Sequence, residues 1–205
     1  MGVLLEKIPG VEGRFYLYQR VNMNDPLSEL AIKYKTDKWG KKHHYTPLYY
    51  DLFKDRREKV KKVLEIGVGE GASLRMWRDY FPNALIYGID NLTERVFEEV
   101  GIRVLKADQG HEGQLLEALD EILPSPKDLD LVIDDGSHKT SDQIFSCMTI
   151  LPKLSDSAVY VIEDVREPDC VENTLNKVFE FQYDCSVVNC GSRYDDNLVV
   201  IKPYG

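Results

Sequence analysis

The stretch Lys62-Val63-Leu64-Glu65-Ile66-Gly67-Val68-Gly69-Glu70-Gly71-Ala72-Ser73 decides the fold. Its apolar opening reads as a buried strand, its glycines as a turn, and the residues from Ala72 to Tyr80 as a helix. Glycine at 67, 69 and 71 lets the backbone pass close to a ligand where a Cβ would clash. A strand, a glycine turn and a helix in that order form the first half of a βαβ unit. The helix N-terminus then points into the crevice at the carboxyl edge of a parallel sheet. A GxGxG turn alone says little; the strand before it and the helix after it give it weight.

Outward from this turn, short apolar runs alternate with helix-period stretches. Strands are expected at Lys62–Val68, Ala84–Asp90, Arg103–Asp108, Leu129–Asp135 and Ala158–Asp164. Helices are expected at Ala72–Tyr80, Glu94–Val100, Glu112–Leu123, Thr140–Leu151 and Val171–Phe181. The last two runs, Ser186–Cys190 and Asn197–Lys202, leave no room for a crossover helix and should pair as an antiparallel hairpin. The expected fold is a Rossmann-like α/β domain: a mostly parallel seven-stranded sheet, a C-terminal antiparallel hairpin and helices on both faces. Pro26–Tyr34 and Thr46–Phe53 read as helices ahead of the sheet, which divides the chain into a helical extension or cap at 1–58 and the main domain at 59–205.

Composition narrows the function classes. The 205 residues suit one domain with a sizeable core. No apolar run approaches the roughly 20 residues that span a bilayer, so a membrane is not an expected partner. The first residues show no signal-peptide layout, which makes the cytoplasm the expected location. Cys147, Cys170, Cys185 and Cys190 lack CxxC spacing and read as reduced thiols. A net charge of −9 argues against a nucleic-acid partner. Phe15, Tyr16, Tyr18, Trp39, Tyr45, Tyr49 and Tyr50 could line an apolar acceptor wall or simply pack in the core.

Most of the expected strands end in an acid, and in a parallel sheet these ends converge on the ligand crevice. Asp90 stands where a carboxylate can bond ribose hydroxyls, a feature shared with NAD-binding proteins. The sharpest signals are Ile133-Asp134-Asp135-Gly136-Ser137-His138 and Val161-Ile162-Glu163-Asp164-Val165. Adjacent parallel strands lie about 4.8 Å apart, so their terminal carboxylates can share one ion. Asp135, Glu163 and Asp164 are therefore the expected ligands of Mg²⁺ or another divalent cation, which relieves their mutual repulsion. His138, three residues past Asp135, is the expected general base for an acceptor hydroxyl, with Asp135 beside it as its catalytic partner.

The expected hairpin after a parallel sheet, Glu65 ahead of the glycines and Asp108-Gln109 at the end of the third strand together resemble class I S-adenosylmethionine-dependent methyltransferases. That resemblance implies a cofactor held by Glu65, Gly67, Gly69, Gly71, Ser73, Asp90, Asp108, Gln109 and Asp134. With the two acidic motifs, Lys35-Thr36-Asp37-Lys38-Trp39-Gly40 and His44-Tyr45-Thr46-Pro47-Leu48-Tyr49 narrow the resemblance further. They are similar to the metal-dependent sugar O-methyltransferases of macrolide antibiotic biosynthesis, of the mycinamicin and tylosin type. The resemblance implies Mg²⁺-assisted methyl transfer to a free hydroxyl of a small molecule, a deoxysugar on a natural product. It also implies Thr36, Lys38 and Tyr45 over the cofactor or substrate, and leaves a homo-oligomer open. Three other readings stay open: methylation of a catechol or another small metabolite, an enzyme that binds S-adenosylmethionine without methylating, and a dehydrogenase.

Overall fold

The computed structural model describes residues 4–7, 15–19, 25–40, 42–123, 129–180, 182–191 and 193–204. Its elements in chain order are β1 (Leu4–Lys7), β2 (Phe15–Gln19), α1 (Pro26–Tyr34), α2 (Thr46–Phe53), β3 (Lys62–Ile66), α3 (Ala72–Tyr80), β4 (Leu85–Asp90) and β5 (Glu98–Glu99). There follow β6 (Ile102–Lys106), α4 (Glu112–Ile122), β7 (Leu129–Asp134), α5 (Thr140–Ile150), β8 (Leu154–Ile162), α6 (Pro168–Val178), β9 (Tyr183–Asn189) and β10 (Asn197–Pro203). The strands form one sheet in the order β1-β2-β9-β10-β8-β7-β3-β4-β6-β5. Strands β6, β4, β3, β7 and β8 run parallel, and β10 returns antiparallel against both β8 and β9.

The seven expected strands are all present, and three more join them. β1 and β2 pair with each other, and β2 lies parallel to β9, so the segment ahead of the sheet holds strands as well as α1 and α2. The side chains of Phe15, Tyr16 and Tyr18 lie outside the described residues. β5 replaces an expected helix: the stretch Glu94–Val100 forms a 3₁₀ turn over Thr93–Arg95 and then extended chain. The reason is local. The Asp90 carboxylate accepts from the Leu92 amide at 3.0 Å and from the Arg95 guanidinium at 3.2 Å, which closes a tight turn. Val96 and Phe97 then run extended, and Phe97 packs beneath Gly71, whose Cβ would stand 2.6 Å from its ring. The last expected helix begins earlier than its periodicity suggested, at Pro168, and ends at Val178; Phe181 lies outside the described residues.

Strand alternation divides the core between the two faces of the sheet. Val63 of β3 packs with Phe53, Trp77 and Phe81 beneath α1–α3. Leu64 and Ile66 of the same strand pack with Leu119, Val132 and Ile150 beneath α4–α6. On the first face α1 starts at an Asp25 cap, whose Oδ1 accepts from the Ser28 amide at 2.8 Å. The Ser28 hydroxyl reaches Thr46 Oγ1 at 2.8 Å and so fixes the start of α2 against α1. This pair of helices carries the loop of residues 35–45 to the carboxyl edge of the sheet.

Register sets the site. Ile66, Asp134 and Ile162 lie side by side on β3, β7 and β8. The next residues, Gly67, Asp135 and Glu163, therefore leave the sheet together. Their amides still bond the neighbouring strands, Asp135 to Ile66 and Glu163 to Asp134, each at 2.9 Å. The turn after β3 and the acids after β7 and β8 are thus built on one rigid edge.

Candidate active site

A cleft of about 850 Å³ opens over this edge. The glycine turn forms one wall: Gly67, Gly69 and Ser73 line it, while Gly71 caps α3 in a left-handed conformation at φ 74°. Asp90 also lines it, and its Oδ2 accepts from the Val68 amide at 2.9 Å, tying β4 to the turn. Asp108 and Gln109 line the far end and Thr36 the near end. Seven of the residues expected around a cofactor thus line one cleft, with Gly71 just behind them.

Four expected residues face elsewhere. Asp134 points to the opposite side of β7 from Asp135, as strand parity requires. It is fully buried and bonded by Gln109, Ser146 and Tyr160, and burial pushes its pKa up to about 6. Glu65 is buried behind the turn, where it accepts from Trp77 Nε1 at 2.9 Å. Lys38 is 1% exposed and does not line the cleft. Tyr45 lies under the acids, its hydroxyl donating to Asp164 Oδ1 at 2.6 Å. These four stand behind the residues that line the cleft.

The acid cluster forms the floor. Asp135 Oδ1 meets His138 Nε2 at 3.1 Å, and Asp164 Oδ2 lies 3.8 Å from the same nitrogen. One ligand atom from each of Asp135, His138 and Asp164 falls within 4.8 Å of the others, the separation a single cation can bridge. Glu163, the third expected ligand, turns inward. Its Oε1 accepts from the Tyr49 hydroxyl at 2.6 Å and its Oε2 from Lys38 Nζ at 2.5 Å. The difference has a physical cause: Glu163 continues straight off the strand end into the core, whereas Asp164 turns at φ 52° to face the cleft. His138 adopts the same left-handed backbone at φ 56°. Non-glycine residues in this region carry a steric cost of roughly 1–2 kcal/mol and gather at functional sites.

Electrostatics follow from the burial. Burial raises the pKa of Glu163, Glu65 and Asp164. Asp135 is also pushed up by burial, but the charges of Lys38 and His138 outweigh this and hold it below the usual carboxylate range. The hydrogen bond to Asp135 raises the pKa of His138. Three carboxylates (Glu65, Asp135, Glu163) surround one lysine ammonium and Asp164 adds a fourth beside His138, so acids outnumber the lysine at the cleft floor. A divalent cation held by carboxylate oxygens fits that surplus.

One part of the site was not singled out from sequence. His43 lines the cleft, stacks on Tyr45 at 4.7 Å and has Nδ1 2.9 Å from Asp196 Oδ1 and 3.7 Å from Asp164 Oδ1. Asp196 lies in the turn between β9 and β10, as do Arg193 and Asp195, which also line the cleft. The only sequence signal was the acidic pair in a hairpin turn, ordinary for turns in general.

Comparison with known proteins bears on this arrangement. The mycinamicin VI 2''-O-methyltransferase of Micromonospora griseorubida is 40% identical over 146 residues, 68% of this chain and 36% of that protein. A Streptomyces olivaceus 3'-O-methyltransferase acting on 8-demethyl-8-(2-methoxy-α-L-rhamnosyl)-tetracenomycin C is 37% identical over 151 residues, 70% of this chain and 38% of that protein. The chain is a homologue of sugar O-methyltransferases of antibiotic biosynthesis. It spans little more than a third of the length of these curated relatives. The fold of this homologue matches the MycE methyltransferase of the mycinamycin pathway, solved with Mg and SAH. The TM-score is 0.70 at 26% identity, over 88% of this chain and 55% of MycE. MycE has also been solved with Mg, SAH and mycinamycin VI, at 29% identity to this chain. No family model matches the chain.

Proposed function

We propose that this chain is an S-adenosylmethionine-dependent, Mg²⁺-assisted O-methyltransferase, and that its acceptor is a sugar hydroxyl on a small-molecule natural product. The observation that carries this reading is the shared cleft. A glycine turn with two acids suited to an adenosyl group opens directly onto the Asp135–His138–Asp164 floor. A dehydrogenase accounts for the turn and Asp90 but has no use for that floor.

When bound, S-adenosylmethionine supplies a sulfonium methyl group, and Mg²⁺ makes an acceptor hydroxyl easier to deprotonate. Asp135 and Asp164 would hold the ion from the floor, with Glu163 behind them. His138 faces this pair and would take the hydroxyl proton, while the Asp135 carboxylate would stabilise the imidazolium formed. Gly67, Gly69 and Ser73 would lie along the bound cofactor, and Asp90 and Asp108 could accept from its hydroxyl and amino groups. The remaining demand is alignment of oxygen, methyl carbon and sulfur, which a rigid sheet edge provides. The formal net charge of −9 favours a neutral or cationic small molecule over a nucleic acid. Among the described residues, no helix is long and apolar enough to cross a membrane.

Two measurements test this reading. Calorimetric titration should show binding of S-adenosylhomocysteine and none of NAD; the reverse result removes the methyltransferase assignment. Methyl transfer to rhamnosylated and macrolide glycosides should then be abolished by EDTA, restored by Mg²⁺ and lost in His138→Ala. Full turnover in EDTA would remove the metal from the mechanism.

A further inference from the structure

Lys38 is the one lysine of the described residues that is buried among acids and outside the cleft. Its ammonium lies 2.5 Å from Glu163 Oε2, 2.8 Å from Asp135 Oδ2 and 3.1 Å from Glu65 Oε1. Glu163 and Asp135 directly follow β8 and β7, and Glu65 is the penultimate residue of β3, so a single nitrogen joins the three strands at this edge. Three carboxylate oxygens around one point make a cation position, and here the chain fills it itself. Asp135 is the bridge between two positions: its Oδ2 serves the ammonium and its Oδ1 faces His138 and Asp164.

We propose that Lys38 is a positioning residue that serves as the site's resident cation. It orients Asp135 so that one oxygen alone faces the cleft. It also neutralises Glu65 and Glu163, so that the acid cluster takes a single divalent ion on the cleft side. A lysine suits this task because its charge is compact and stays with the fold when a metal leaves. Supporting groups behind metal ligands commonly govern affinity by about 10–100-fold. The inference rests on the metal-assisted reading for the second ion, but the ammonium position stands on the ion pairs alone.

The test uses the full chain without cofactor. In protein labelled with ¹⁵N-lysine, one exchange-protected ammonium signal is expected, missing from Lys38→Met and broadened when Mn²⁺ is added. Electron paramagnetic resonance titration should give one bound Mn²⁺ for the wild type and one more for Lys38→Ala. Adding Glu65→Gln to Lys38→Ala should remove the extra ion, because Glu65 belongs only to the lysine side. The proposal is overturned if no ammonium is protected, or if folded Lys38→Ala binds Mn²⁺ with wild-type number and affinity. Should Lys38→Ala fail to fold, the ammonium signal of the wild type decides. A wild type that binds no Mn²⁺ yet keeps the protected signal refutes the metal-assisted reading and upholds the assignment of Lys38.

Discussion

Gly67 offers the most direct test of how the cofactor turn and the acid floor are joined. It sits at φ +86°, and a Cβ there would stand 2.0 Å from the Asp135 carbonyl oxygen and 2.6 Å from its carbon. Ordinary contact begins at 3.4 Å, so about 1.4 Å must be made up by backbone movement. The obstacle is rigid, because the amide of Asp135 is bonded to Ile66 at 2.9 Å. Gly67→Ala should therefore cost about 1–2 kcal/mol in backbone strain and about 1–3 kcal/mol more in displaced packing. Gly69→Ala is the control: it too has positive φ, at 53°, but nothing lies within 4 Å of its Cβ. It should show the strain without the collision, and weaken cofactor binding because it lines the cleft. Urea denaturation of both variants measures stability, calorimetry with S-adenosylhomocysteine measures the cofactor site, and Mn²⁺ titration reads the position of Asp135. Gly67→Ala should lose stability and Mn²⁺ affinity together, whereas Gly69→Ala should lose mainly cofactor affinity. A Gly67→Ala protein with wild-type stability and Mn²⁺ binding would refute the close approach of turn and floor.

Three further outcomes follow from the same geometry. Asn tolerates the left-handed backbone of position 138 better than His does, so His138→Asn should keep or raise the melting temperature while turnover falls about 10²–10⁴-fold. Asp79 is bonded by Lys33 and Tyr34, and these hold its pKa down at about 2. A depressed carboxylate stabilises the fold above its unfolded pKa and loses that contribution as pH falls from about 4 to about 2; Asp79→Asn should flatten this part of the acid-unfolding curve. Tyr45→Phe removes the 2.6 Å bond to Asp164, leaving a half-buried carboxylate short of a donor. A loss of about 1–3 kcal/mol in urea denaturation is expected, with a smaller loss if Mg²⁺ is added.

Much of the fold was legible because it depends on local patterns. The Lys62–Ser73 stretch carries its own strand, turn and helix, and the hairpin follows from the short spacing of two apolar runs. The region after Asp90 was not legible, because its 3₁₀ turn is closed by a carboxylate at the end of another element. Strand-end acids can be read as a group, but parity and the left-handed turns decide which of them face the cleft. Asp134 and Asp135 are adjacent in sequence, yet one is sealed under Ser146 and Tyr160 and the other opens to His138. The partner of Glu163 could not be found by spacing at all, since Lys38 stands 125 residues away.

The placement of Lys38, Tyr45 and Tyr49 bears on how such a site is held. Each comes from the loop and helix ahead of the sheet, and each binds an acid at a strand end: Glu163 and Asp135 by Lys38, Asp164 by Tyr45, Glu163 by Tyr49. Parallel strands alone would bring these like charges together with nothing to restrain them, at a repulsive cost that grows as burial lowers the local dielectric. The segment ahead of the sheet therefore supplies the donors that let the acids stay close. If so, the floor and that segment should lose their order together. Hydrogen exchange on Lys38→Met should show faster exchange at Asp135–His138 and at Tyr45–Tyr49, while the amides of β4 and β6 keep their protection. Protection unchanged at both places would mean that the sheet edge alone is enough to hold the acids.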